Sequence, residues 1–242
     1  MVMKNYIVYI KSIFLIGLLA FLYGFGSYKN KQRAVHDLQI EFSKGGNLFL
    51  TTKTVNKLLI QNLGEVKNQP KSLINLHDFE NVVSENSLVE HAKVFMTIGG
   101  VVKTIIKQRT PVARVNTGSQ VYYIDKQGLK MPLSNNYSAR VMLISGEIVN
   151  ADLSSVFELV NKIRGNEFLN NLIVGVRKTA DKEYVLLTRL YNHEIKLGKI
   201  SELKTKFKKL EAFYNKAILD NEVDIYKTIN LKYNNQVVCT KK

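Results

Sequence analysis

The sequence predicts an α+β protein in which one amino-terminal transmembrane helix precedes two small domains. Three observations support this fold class. Residues 12–28 carry no charge, the hydrophobic periodicity of the remaining chain alternates between helical and strand spacing, and the pattern becomes richer in strands beyond the pair Thr110-Pro111. The chain is therefore expected to hold a membrane anchor, a mixed domain and a second, β-rich domain.

The apolar run is long enough to cross a bilayer. Counted over residues 6–28, a helix would extend about 34 Å at the usual rise per residue. A cleavable signal peptide is the alternative, because Gly24 and Gly26 form a small-x-small site. Three basic residues, Lys29, Lys31 and Arg33, follow like a stop-transfer flank and favour a retained anchor. We therefore predict a transmembrane helix at 12–28 after a short tail of residues 1–11.

Composition limits the classes of protein that remain. The 242 residues carry 35 Lys and Arg against 20 Asp and Glu, which gives a net charge of +15 and indicates an anionic partner or surface. With 45% hydrophobic residues and three prolines, the chain is not a disordered sequence. Cys239 is the single cysteine, so intramolecular disulfides and multi-cysteine metal sites are excluded.

Between the anchor and Pro111 the pattern predicts the order strand, helix, helix, strand, strand. The predicted strands are residues 35–42, 89–98 and 101–109, and the helices begin after caps at Thr51 or Thr52 and at Asn75. Leu59 lies on the apolar face of the first helix. A three-stranded sheet covered on one face by two helices accommodates this order.

The second part of the chain is predicted to consist of many short strands and two longer helices. Asn234-Asn235 provides the turn between the last two strands. The predicted strands are 112–115, 121–124, 140–144, 172–177, 183–189, 193–197, 225–233 and 236–240, and the predicted helices are 152–164 and 199–219.

No catalytic or metal-binding motif is present. The four histidines, His36, His77, His91 and His193, fall on different predicted elements and are expected on the surface or in turns. Cys239 is expected to be an ordinary strand residue, and the pairs Gly45-Gly46 and Gly99-Gly100 are expected turns, not phosphate loops. The sequence therefore predicts a protein that is not an enzyme and has no cofactor and no metal site.

Four local segments resemble the bacterial cell-division family FtsQ/DivIB. They resemble, in chain order, the family patterns E-R-x-P-x-A, Y-x-I-D-x-x-G, I-x-L-G and D-L-R-Y. The segments are Gln108-Arg109-Thr110-Pro111-Val112-Ala113, Val121-Tyr122-Tyr123-Ile124-Asp125-Lys126-Gln127-Gly128, Ile195-Lys196-Leu197-Gly198 and Ile229-Asn230-Leu231-Lys232-Tyr233. Gln108 stands in place of Glu, Asn230 in place of Asp and Lys232 in place of Arg.

The resemblance implies a POTRA-like domain at residues 35–109 and an FtsQ-type β-domain at 110–242. It also implies a non-enzymatic, membrane-anchored scaffold of the divisome in the cell inner membrane, single-pass, with residues 1–11 cytoplasmic and the bulk of the chain periplasmic. Charge alone does not orient the anchor, because three basic groups flank it on each side. The alternatives are a basic nucleic-acid-binding protein and another POTRA-bearing envelope assembly protein.

The carboxyl-terminal strand is the predicted partner site. An edge strand leaves backbone N–H and C=O groups unpaired and so can accept a strand from another chain. The resemblance implies FtsB/FtsL-like division proteins as partners, with no nucleic acid and no small-molecule substrate. The alternative is that these residues only complete the core. The predicted site residues are Lys232, Tyr233, Val237, Val238 and Cys239, supported by Lys206 and Lys209 from the lysine-rich helix, and proline at Val238 is the expected probe of the edge.

Overall fold

The computed structural model describes residues 2–43 and 48–242. It confirms the predicted α+β class, with an apolar amino-terminal helix followed by mixed sheets and further helices. The chain forms two compact units, Met1–Gln108 and Arg109–Lys242. The predicted turn at Gly45-Gly46 lies outside the described residues.

The first helix, α1 (Val2–Gln32), contains the apolar run. Its segment Tyr9–Asn30 has a mean hydropathy of 1.7, and none of that segment is buried against protein. Twenty-two residues of helix extend about 33 Å, the thickness of a hydrocarbon core. Within the described part of the chain, α1 is the one helix that is both long and apolar enough to cross a membrane.

After α1, the first unit has the predicted order of strand, helix, helix, strand, strand. The elements are β1 (Asp37–Phe42), α2 (Thr52–Leu63), α3 (Leu76–Ser84), β2 (Val89–Met96) and β3 (Val101–Gln108), with a short 3-10 turn at Lys71–Leu73 before α3. The strands form a sheet in the order β1-β3-β2. The first strand runs parallel to β3, and β2 runs antiparallel to it.

Local capping explains where the two helices of this unit begin. The Thr51 hydroxyl accepts a hydrogen bond from the Thr54 backbone N–H at 3.1 Å, and the Asn75 side chain accepts from the His77 N–H at 3.1 Å. The apolar faces of α2 and α3 pack against the sheet through buried residues such as Leu59 on α2. These buried side chains form one hydrophobic core beneath the sheet.

The second unit is one nine-stranded mixed sheet, in the order β12-β11-β10-β9-β8-β7-β4-β5-β6. Neighbouring strands are antiparallel except for the pairs β4·β7, β7·β8 and β10·β11, which are parallel. Its elements are β4 (Pro111–Asn116), β5 (Val121–Asp125), β6 (Lys130–Met131), β7 (Met142–Gly146), α4 (Leu153–Arg164), α5 (Glu167–Leu172), β8 (Ile173–Lys178), β9 (Tyr184–Thr188), β10 (Glu194–Gly198), α6 (Leu203–Leu219), β11 (Tyr226–Asn230) and β12 (Val238–Lys241), and 3-10 turns lie at Asn150–Asp152 and Val223–Ile225.

Several elements of the second unit differ from the sequence prediction. The strand β6 and the helix α5 were not predicted, and α6 begins at Leu203 instead of residue 199. The strand β11 ends at Asn230 instead of residue 233, and β12 begins at Val238 instead of residue 236. Glu202 adopts a left-handed backbone conformation with φ of 51°, which interrupts the helical path before Leu203. The helix α5 is a six-residue segment, too short for its apolar periodicity to be distinguished from that of a strand.

Candidate partner-binding edge

The carboxyl-terminal strand β12 forms one edge of the nine-stranded sheet, and its one strand neighbour in the described residues is β11. The two strands pair antiparallel, with Cys239 opposite Ile229 and Val238 opposite Asn230. The backbone groups on the outer side of β12 therefore have no strand partner in the part of the chain that the structure describes.

The alternation of an antiparallel ladder identifies which backbone groups face outward. The Lys242 N–H donates to the Ile225 carbonyl oxygen at 2.9 Å, so Thr240 and Val238, at every second residue, also bond toward β11. The backbone groups of Cys239 and Lys241 consequently point away from the sheet. Proline at Val238 would remove an internal ladder bond, so our expectation for that variant was wrong, and Cys239 is the position that probes the edge.

The two faces of β12 have different surroundings. Val237 and Cys239 pack against the hydrophobic core of the second unit, whereas the Val238 side chain is 39% exposed. Burial raises the pKa of the Cys239 thiol, so this side chain stays protonated near neutral pH. The cysteine therefore has the environment of a packed strand residue, as the sequence predicted.

The segment before β12 presents an aromatic ring and is attached to α6. Tyr233 is 49% exposed. The Lys209 ammonium group donates hydrogen bonds to the carbonyl oxygens of Tyr233 at 2.5 Å and Asn234 at 3.2 Å. Lys209 thus fixes the turn that leads into the edge strand.

Lys232 lies across the start of this segment and contacts two other parts of the sheet. Its ammonium group pairs with the Glu183 carboxylate, with N–O distances of 3.0 and 2.9 Å. Gly198, which has a φ of 74°, lies under the Lys232 side chain, and an added Cβ would be 2.9 Å from Lys232 Cγ. Glycine is required there because the left-handed conformation disfavours a side chain.

Lys206 differs from the other predicted site residues because it is 7% exposed. Its ammonium group donates to the Lys199 carbonyl oxygen at 2.8 Å, and burial lowers its pKa. The structure therefore does not bring Lys206 to the outer edge of the sheet. The burial of Lys206 could have been predicted from the sequence, because this residue lies three positions after Leu203 and four before Leu210, on the buried face of α6.

His193 is also placed differently from the prediction, since it is 2% exposed and not a surface residue. Its Nε2 atom shares a hydrogen bond with the Tyr214 hydroxyl group, and its ring stacks on Tyr191. Burial lowers the pKa of His193, which keeps the imidazole neutral near pH 7. Among the described residues, no group of three or more His, Cys, Asp or Glu side chains could hold a metal ion.

Two of the resembling segments meet through one ion pair in the second unit. The Arg109 guanidinium donates to the Asp125 carboxylate at 2.7 Å, and Asp125 is 1% exposed. The same carboxylate accepts hydrogen bonds from the backbone N–H groups of Gln127 and Leu129 at 2.9 and 2.8 Å. The Arg of the first segment and the Asp of the second therefore fix the β5–β6 turn to the beginning of the sheet.

An apolar helix long enough to cross a membrane precedes two α+β units, an arrangement that fits the class of single-pass membrane proteins. Among the described residues, β12 has a strand neighbour on one side only. A family model described as FtsQ/DivIB, C-terminal related, matches residues 110–240. The match covers more than half of the chain, so the chain belongs to the FtsQ/DivIB family of non-enzymatic cell-division proteins. No curated protein matches the sequence.

Proposed function

We propose that this protein is a membrane-anchored scaffold of the divisome that links other division proteins through its exported domains. The observation that carries the proposal is the open outer side of β12 in a member of a cell-division family. Backbone hydrogen bonds from an added strand would provide affinity, and side chains beside the edge would provide specificity. In this proposal residues 35–109 are a POTRA domain, and residues 110–242 are the β-domain that contains the partner site.

The proposed site combines backbone groups with a small exposed surface. Cys239 and Lys241 would pair with the incoming strand, and the exposed side chains of Tyr233 and Val238 would contact it. Lys209 supports the turn before the strand. Lys232 supports it as well through its ion pair, whereas Lys206 is omitted because its ammonium group is already bound internally. FtsB/FtsL-like division proteins are the proposed partners.

The membrane orientation is part of the same proposal. The segment Tyr9–Asn30 would cross the inner membrane, with the amino terminus in the cytoplasm and the two folded units in the periplasm. A phosphatase reporter that is active only after export, fused after Lys242, should be active. A mature protein that begins near Ser27 would show that the segment is a cleaved signal peptide and would contradict the anchor.

Localisation in dividing cells tests the proposed function. A fluorescent fusion of the full chain should form a ring at mid-cell, and a chain that ends at Asn235, which lacks β12, should no longer recruit its FtsB/FtsL-like partners to that ring. Uniform envelope fluorescence of the full chain would contradict a role in division. Normal partner recruitment by the truncated chain would contradict the edge as the partner site.

A further inference from the structure

Three arginines and one amide line a cleft of about 460 Å³ in the second unit. Arg140 precedes β7, Arg164 is the last residue of α4, and Arg189 follows β9. Asn170 on α5 adds an amide group to the lining. Different elements thus bring three guanidinium-bearing side chains to one concave site whose volume lies in the range of small-ligand sites.

Three apolar residues in the lining of this cleft are buried. Val112 and Ile173 are each 2% exposed, and Met142 is 8% exposed. Strands β4, β7 and β8, which contribute these three residues, are adjacent in the central part of the sheet. The lining of the cleft therefore combines the three arginines with apolar residues from three neighbouring strands of the sheet.

The cleft arginines differ from the other arginines of the second unit in having no protein partner. Arg109 donates to Asp125, Arg114 to Tyr123 and Arg177 to Glu194. The three cleft arginines form no side-chain hydrogen bond or ion pair with residues 2–43 or 48–242.

The charge of the cleft is also unbalanced. No Asp or Glu belongs to its lining, so the three positive charges have no carboxylate beside them at the site. The second unit holds six arginines, and the three without a partner are those that line this one cleft.

We propose that this cleft binds a ligand through a phosphate group that carries two or more negative charges. A guanidinium presents five N–H donors in a planar fork that matches phosphate oxygens, and a single carboxylate would leave most of the donors and two of the three charges unsatisfied. Only seven of the 35 basic residues are arginines, so the presence of three at one site favours fork recognition over general surface charge. This inference does not depend on the β12 edge.

The phosphate can come from a soluble compound or from a lipid headgroup, and two titrations distinguish these sources. The full-length protein in neutral detergent micelles would be titrated calorimetrically with inorganic pyrophosphate and, separately, with dihexanoyl phosphatidic acid. We expect one site per chain for at least one of these probes. Saturation by pyrophosphate assigns a soluble phosphate, and saturation by the lipid alone assigns a headgroup.

Variants separate the cleft from the overall charge of +15. Arg164→Gln and Arg189→Gln should each weaken binding about tenfold, because each removes a charge-assisted contact. Arg177→Gln removes the same charge from a surface ion pair outside the cleft and should leave binding unchanged. Arg164→Lys keeps the charge but loses the fork, so it should weaken binding severalfold even if a glutamine variant fails to fold.

Three outcomes would overturn the proposal. The first is that neither probe binds with a Kd below about 1 mM. The second is that Arg177→Gln weakens binding as much as Arg164→Gln does, which would indicate general attraction to a basic protein. The third is that Arg164→Lys and Arg189→Gln both bind like the unmodified chain.

Discussion

The Lys209 ammonium group donates a 2.5 Å hydrogen bond to the Tyr233 carbonyl oxygen and thereby attaches α6 to the turn that precedes the edge strand. The strand itself is held on one side by β11 and on one face by the core contacts of Val237 and Cys239. A partner strand would thus meet an edge whose position is fixed before binding. Fixing the edge in advance lowers the entropy cost of association.

Removal of this contact should loosen β12 without unfolding the unit. Lys209→Ala should accelerate amide hydrogen exchange across residues 237–241 by about threefold to tenfold, because the net value of such a hydrogen bond is about 1 kcal/mol. Lys208→Ala removes the same charge from the exposed neighbour and serves as the control. Equal amide exchange rates across β12 in the two variants would show that Lys209 does not hold the turn.

Gly198 should not tolerate a side chain. Gly198→Ala should lower the free energy of unfolding by about 1–3 kcal/mol, because a φ of 74° disfavours alanine and the new Cβ would approach Lys232 Cδ to 3.0 Å. Urea titration of the full-length protein in detergent measures this loss. In the Lys232→Ala background the crowding is absent but the backbone strain remains, so Gly198→Ala should cost less there, measured against Lys232→Ala, which itself lacks the ion pair with Glu183. An unchanged urea midpoint on adding Gly198→Ala in both backgrounds would contradict this assignment.

The Asp152–Lys178 ion pair should make the second unit sensitive to acid. Burial raises the pKa of Asp152, but hydrogen bonds from Lys178 and the Val149 N–H outweigh it and hold the pKa below its ordinary value of 3.8. The stabilisation is therefore present above pH 3.8 and is lost as the pH falls through the lower folded-state value. In acid titrations, the free energy of unfolding of Asp152→Asn should fall less steeply below pH 4 than that of the unmodified protein. An equal slope in the two proteins would show that the Asp152–Lys178 pair does not cause the acid sensitivity.

The core of the first unit should depend on Leu59 and not on its neighbour. Leu59→Asp should destabilise the unit by about 3 kcal/mol or more, because it buries an unpaired charge at a position with no exposure. Ile60→Asp introduces the same charge on a side chain that is 45% exposed, and it should change stability by less than about 1 kcal/mol. Thermal unfolding compares the two variants, and equal shifts would show that the buried face of α2 is assigned incorrectly.

Local signals in the sequence predicted much of the fold. The caps at Thr51 and Asn75 depend on residues within one helical turn, and their chemistry is visible in the sequence itself. The predicted two-residue turn at Asn234-Asn235 was too short, because residues 231–237 separate β11 from β12 and the pair lies within that longer connection. The strand β6 was missed because two residues carry no periodic signal.

Features that depend on distant contacts could not be predicted in this way. His193 is buried because it meets Tyr214 on α6, a pairing between separate elements that no short pattern records. The gathering of Arg140, Arg164 and Arg189 likewise depends on the order of strands in the sheet. The direction of each backbone group in β12 required the register with β11, which explains why the sequence suggested the wrong position for a proline probe.

Proline at Cys239 gives the most direct measurement of partner binding at the edge. This substitution removes an outward N–H while the ladder to β11 remains, whereas Cys239→Ala alters the side chain and keeps the N–H. Affinity for a purified FtsB/FtsL-like pair from the same cells would be measured by biolayer interferometry on full-length protein. We expect Cys239→Pro to bind at least tenfold more weakly and Cys239→Ala to bind like the unmodified chain, with Lys241→Pro as a second probe if Cys239→Pro unfolds. Unchanged affinity in a folded proline variant would contradict strand addition at β12.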